Sequence, residues 1–331
     1  MSVSARRWEA LTGYSNAFTC YSAAVATWAA AGERDWRAAV NTELWLRITE
    51  SADGLFGFAY FQPTLRASLG LVRRGADDPD AATRGVLEEI ERTGRVIVAG
   101  DGFNLPWHVA HGRVHAPHWF VLAGDSGGIE VMDPFACRNE LGVQESARRT
   151  VSGSALQGLQ GLQGLLRALP GGDPVHRLRE VLALGDETDD SLEHRFQWFV
   201  CGKVAQTAAP AGLDGPDAVL ALARHFRERG GELSAYSQAD DIWSIARHRA
   251  FMCRCARERA DAEGDPGLAA WVDGHAAPLA TRWGHMAPLL MQAILALRVG
   301  RAPSSSVPDT LERLAELERL AAIPSESTRR Q

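Results

Sequence analysis

Cys20, His118 and Asp133 are the residue types a nucleophilic thiol needs: a sulfur, a base and a carboxylate to orient that base. His118 and Asp133 stand at the two ends of one readable hairpin. The apolar run from His118 to Gly124 is followed by Asp125-Ser126-Gly127-Gly128, and then by the run Ile129 to Asp133 before Pro134. A turn centred on Asp125-Ser126 sets His118 opposite Asp133, with Cβ atoms roughly 5 Å apart. A turn centred on Ser126-Gly127 makes Asp133 the diagonal neighbour on the same face, at up to roughly 7–8 Å. Either register lets the carboxylate orient the imidazole. Cys20 follows the polar, glycine-containing approach Gly13 to Thr19 and opens the apolar run Cys20 to Ala31. A thiol at a helix N-terminus meets unpaired N–H groups and the positive end of the macrodipole, which favour thiolate and can hold an oxyanion. Each residue alone has an ordinary explanation: a buried small cysteine, a strand-edge histidine, an aspartate before proline. Their joint placement favours chemistry.

The elements that must position this trio are legible in part. Residues 20–31 read as a helix stopped by Gly32, residues 35–48 as a second helix, and 53–70 as irregular or short-stranded. A turn at Asp77 to Asp80 leads into a helix at about 80–92, and Arg95 to Gly100 reads as a buried strand. The loop Asp101 to Pro117 carries His108, His111 and His115 just ahead of His118. Imidazoles at this density could bind a metal, but no second cluster has ligand spacing, and no metal or cofactor is expected. Cys253-Arg254-Cys255 lies on an expected helix, where its two thiols point apart. No phosphate-binding glycine loop in a strand–turn–helix setting and no G-x-S-x-G occurs, so neither a nucleotide site nor a serine α/β-hydrolase is expected.

Beyond residue 150 the chain reads as nearly all helix, at about 155–169, 174–184, 188–208, 216–230, 238–263, 266–298 and 308–322. Three copies of Leu-Gln-Gly over residues 156–164 suit neither helix nor strand and read as a linker or a frayed helix start. The polar tail 324–331 is expected to be disordered. Two domains are thus expected, 1–150 and 151–331.

The net charge of −6 and the lack of a basic patch argue against nucleic acid as a partner. A single lysine against 34 arginines reads as genome composition. No run approaches the 18 apolar residues of a membrane span, and residues 1–10 lack a signal-peptide core. Five cysteines in 331 residues do not resemble a disulfide framework. The expected setting is a reducing cytoplasm, without a membrane. A homodimer is compatible with the sequence, which does not fix the oligomeric state.

Two stretches resemble a known family. Gly13…Cys20-Tyr21-Ser22-Ala23-Ala24…Gly32 resembles the opening of the butirosin-biosynthesis aminoacyltransferase N-terminal domain. The run from Gly94 to Val98, then Asp101…Leu105-Pro106-Trp107, His115-Ala116-Pro117-His118-Trp119-Phe120-Val121 and Val131-Met132-Asp133-Pro134 resembles its second half. The resemblance covers about residues 10–140. It implies an α+β chain, with a papain-like or C39-peptidase-like N-terminal domain built on an antiparallel sheet and a mostly α-helical C-terminal domain covering the cleft. It implies acyl transfer from a phosphopantetheine thioester on an acyl carrier protein to a small amine or alcohol acceptor. Carried over, Cys20 is the nucleophile, His118 the base and Asp133 the orienter. Asp101 matches an acidic position that would fix the loop with Trp107 and His115 as support. Asn16, four residues before Cys20, is the candidate oxyanion donor, where C39-type peptidases place a glutamine further upstream. Trp198, Trp243 and Trp283 are candidates for an acceptor pocket, with helix core as the commoner role for such residues. Hydrolysis by the same trio, as thioesterase or peptidase, and a non-catalytic binding role are the alternatives.

Overall fold

The structure is a computed structural model that describes residues 4–40, 46–50, 54–59, 69–125, 128–139, 141–151, 161–166, 194–203 and 212–321. It is α+β, with antiparallel sheets and a helical C-terminal region. The chain forms two compact units, Met1–Val40 with Pro63–Ala208 and Asn41–Gln62 with Ala209–Gln331.

The first unit is built on a six-stranded antiparallel sheet. The elements that frame the site are, in chain order, α1 (Cys20–Ala31), β1 (Leu71–Ala76), α2 (Pro79–Thr93), β2 (Arg95–Asp101), β3 (Pro117–Asp125), β4 (Gly128–Asp133), β5 (Ala147–Val151) and β6 (Phe196–Cys201). The strand order is β1-β6-β2-β3-β4-β5. Helix α2 begins at Asp78, whose side chain accepts the Ala81 N–H at 2.7 Å, and stops at Gly94 with φ of 77°. A left-handed residue there favours glycine and turns the chain straight into β2. Ala82, Val86 and Ile90 of α2 pack with Val96, Val98, Phe120, Leu122 and Trp198 on one face of the sheet. The other face receives α1, where Tyr21 meets Trp119 edge-on at 6.3 Å. Apart from Cys20 every residue of α1 is buried, as its apolar run without charges requires.

Several expectations are corrected. The sequence 188–208 reads as helix, yet Phe196–Cys201 is a strand lying between β1 and β2. Its aromatic and β-branched run is strand-like once both sides are paired. The first unit therefore reaches past residue 150. The expected helix over 35–48 is shorter, Trp36–Val40, and Arg47–Glu50 is a strand paired with Phe56–Ala59 and Leu213–Asp214. Arg47 clasps Asp214 through two 2.6 Å bonds, a cross-strand partner 167 positions away that no local pattern announces. Residues 161–164 of the Leu-Gln-Gly repeat are helical, while 156–160, the expected helix 174–184 and the tail 324–331 lie outside the described residues.

The second unit carries the helices Gly215–Arg229, Ala239–Glu263, Met286–Arg298 and Ser306–Ala321. The expected helical stretch 266–298 is broken by a π-helical turn at Val272–Ala276, beside Pro278, and again at His285. Proline removes a ladder donor and disturbs the turn before it. Trp283 is fully buried and donates Nε1–H to Glu318 at 2.9 Å, and Glu318 also pairs with the buried Arg249 at 2.7 Å. Trp198 likewise belongs to a core. Trp243 is half-buried under the Arg247 guanidinium, 4.3 Å from its ring. Among the described residues no helix is long and apolar enough to cross a membrane.

Candidate active site

Cys20 is the first residue of α1, and its position is set by a reciprocal cap. Thr19 Oγ1 accepts the Ser22 N–H at 3.1 Å, and Ser22 Oγ accepts the Thr19 N–H at 2.8 Å. The Cys20 N–H thus sits where the helical ladder supplies no acceptor. The thiol meets the edge of β3, hydrogen-bonded to the His118 ring and to the backbone N–H of Trp119. Cys20 keeps partial access to solvent, whereas His118 and Asp133 have almost none.

The hairpin adopts the register centred on Ser126-Gly127: Val121 faces Met132 and Asp125 faces Gly128. Asp133 is therefore the diagonal, same-face neighbour of His118. The side chains close the gap, and His118 Nε2–H donates to Asp133 Oδ2 at 2.7 Å. With Nε2 committed, Nδ1 is the ring nitrogen left for the thiol. The serine-hydrolase template has the opposite arrangement, with Nε2 on the nucleophile and Nδ1 on the carboxylate.

Asp133 is saturated by donors. Besides His118 it accepts Trp107 Nε1–H at 2.9 Å, Gln144 Nε2–H at 3.4 Å and the Phe135 N–H at 3.1 Å. A buried carboxylate is tolerated when paired and hydrogen-bonded, and here its orientation is fixed from several sides. Trp107 is thus a direct partner of the trio.

Burial alone would raise the Cys20 thiol. The hydrogen bond and positive charge of His118, with the Trp119 N–H, outweigh that and bring it below its ordinary value. Burial alone would likewise lower His118. The charge and hydrogen bond of Asp133, together with Cys20, push it up to about 10. Each group favours the other in its charged form, so thiol and imidazole titrate as a coupled pair, with Cys20 drawn down and His118 drawn up. Burial instead raises the thiols of Cys201 and Cys253.

Asp101 ends β2 and is buried. It accepts from the Phe103 N–H at 3.0 Å, Asn104 Nδ2–H at 3.2 Å, His115 Nδ1–H at 2.6 Å and the Ala116 N–H at 3.2 Å. These bonds clip both ends of the loop 102–116, which carries Trp107 to Asp133. His115, stacked on Phe103 at 4.5 Å, belongs to this clip and not to the trio. A cavity of about 500 Å³, lined by Asp101, Phe103, Asn104, His115, Gln163 and Phe196 among others, opens at this end of the sheet. Its size suits a small molecule. Asn16 is exposed on the 3-10 turn Ser15–Ala17, whose Ser15 carbonyl accepts the Ala136 N–H at 3.4 Å, just beyond Asp133.

The loop imidazoles have separate partners. His108 Nδ1 accepts the Ala110 N–H, His111 bonds the Phe103 carbonyl, and His115 and His118 each hold an aspartate. Among the described residues no group of three or more His, Cys, Asp or Glu could hold a metal. Sequence reasoning missed Gln144 and the Trp119 N–H, and saw His108 only as a possible metal ligand. Gln144 lies on a short strand, Gly142–Gln144, with no motif to mark it. His108 packs on Gly102, where a side chain would collide with its ring, and a lone glycine in a loop does not announce such a contact. No family model and no curated protein matches this chain.

Proposed function

We propose that this protein is a cysteine-dependent acyltransferase with a papain-like or C39-peptidase-like catalytic unit. One observation carries the reading: a thiol at a helix start shares a buried histidine with a saturated aspartate, which draws the thiol below its ordinary value and the histidine above its own.

The Cys20 thiolate attacks the carbonyl of a phosphopantetheine thioester borne by an acyl carrier protein, forming the new S–C bond. The oxyanion is received by the Cys20 N–H, with Asn16 as the side-chain candidate. Collapse breaks the original C–S bond, and the departing pantetheine thiolate takes the proton from His118. Neutral His118 then accepts the proton of the attacking amine or alcohol. The second tetrahedral intermediate expels the Cys20 thiolate and restores the charged pair. Asp133 holds the ring in the required tautomer throughout. Asp101 and His115 act through the loop they secure. The work proceeds in the cytoplasm, and the chain's own residues suffice without a resident cofactor.

Incubation with a panel of acyl-carrier thioesters is expected to add the acyl mass at Cys20, and Cys20→Ala to abolish it. An adduct persisting in Cys20→Ala refutes Cys20 as nucleophile. Steady acyl release without added amine or alcohol assigns the site to hydrolysis instead.

A further inference from the structure

The His108 ring lies against His118, with centroids 4.4 Å apart and planes at 62°. Phe135 at 5.6 Å and Phe120 at 6.5 Å complete the aromatic surround of the His118 imidazole. His108 Nδ1 accepts the Ala110 N–H at 3.1 Å, so the ring's proton is carried on Nε2. Burial and the positive charge of His118 push His108 down to about 2. It is neutral wherever the Cys20–His118 pair is charged.

The chain makes room for this ring. A Cβ on Gly102 would stand 2.5 Å from His108 Nδ1 and 2.7 Å from its Cε1. Gly102 has no positive φ, so space and not backbone conformation demands glycine there. Its N–H is held by the Ala116 carbonyl at 2.8 Å, and Asp101 clips the segments on either side. The loop thus presses one face of His108 on Gly102 and places its ring on His118.

We propose that His108 is a positioning residue, a neutral imidazole wall that fixes the His118 ring between Asp133 and Cys20 and keeps water from its protonated form. This rests on the reading of Cys20 and His118 as a reactive pair. The ionisable groups around the wall are His118 on β3, Asp133 on β4, Cys20 on α1 and, at the loop base, Asp101 with His115. A neutral ring is required, because a second cation beside His118 would expel its proton. Removing the wall lets the imidazole tilt and admits water, which weakens its hold on the thiolate.

The test is iodoacetamide alkylation of Cys20 across pH, read by mass, in the full chain. In His108→Ala the half-maximal pH should rise by about one unit, so that the rate at a pH below both midpoints falls ~10-fold while the limiting rate at high pH stays. His108→Phe, which keeps a ring, should restore the wild-type midpoint. An unchanged midpoint in a folded His108→Ala variant overturns the proposal, as does an equal loss of rate at every pH. Should that variant not fold, Gly102→Ala displaces the same ring, and the same upward shift is expected; an unchanged midpoint there overturns it equally. A wild-type midpoint at the ordinary thiol value would instead refute the charged pair itself, and with it the proposed function.

Discussion

At the scale of single residues, the chemistry is set by which proton sits where. Sequence reasoning expects His118 to withdraw the thiol proton when substrate arrives; in the folded chain the pair already favours that transfer, with Cys20 lowered and His118 raised. The acylation rate should rise as Cys20 ionises, below the ordinary thiol range, and fall again as His118 loses its proton at about 10. Asp133→Asn retains the shape of the site but removes the charge that holds the imidazolium. Stopped-flow acylation of that variant should be at least ~100-fold slower, since the corresponding change in serine triads costs about 10⁴-fold. A loss of less than threefold would show that Asp133 is only structural. Cys20, His118 and Asp133 were legible because each carries a local signal: a helix start, and the two ends of a hairpin. Gln144 was not, because its role depends on where a two-stranded ribbon, Cys137–Asn139 with Gly142–Gln144, returns beside β4.

At the scale of elements, the loop 102–116 is a rigid arm whose base is Asp101 and whose tip reaches the trio. The sequence showed a strand end followed by Asp101 and a tryptophan five positions after Gly102, which marks a loop but not its target. The indole N–H bond to Asp133 ties the two together. Trp107→Phe keeps the packing and deletes that donor. Chemical denaturation should show a loss of about 1.5–3 kcal/mol, the range for hydrogen bonds to charged groups, together with a slower acylation rate. Unchanged stability and rate would mean that Asp133 is held without the loop. The hairpin register was narrowed to two from the sequence, and the cross-strand pairing selects the one centred on Ser126-Gly127. Strand β6 was misread because a run such as Phe196–Cys201 fits a buried helix or a buried strand equally well, and only the open slot between β1 and β2 decides.

At the scale of the whole molecule, the chain builds two cores. The helical unit buries an ion pair, Arg249 with Glu318, capped by the Trp283 N–H. Glu318→Ala would leave Arg249 charged and unpartnered by it in the interior. Thermal or chemical unfolding should register a loss of about 3–5 kcal/mol, and a loss under 1 kcal/mol would show that the pair is not structural. The helical character of the second half was readable from composition, but the crossing of the chain between the units was not. Arg47 and Ile48 lie in the helical unit and pair with Asp214 and Leu213, a contact set by distant partners.

His118 lowers the Cys20 thiol by holding the proton, and the pH dependence of Cys20 alkylation in wild type and His118→Gln reads this effect. The wild-type midpoint should lie below 9.0, and in His118→Gln it should return to that value or above, because burial and the Asp133 charge are then opposed only by the Trp119 N–H. Identical midpoints in the two proteins, or a wild-type midpoint at or above 9.0, would contradict the account.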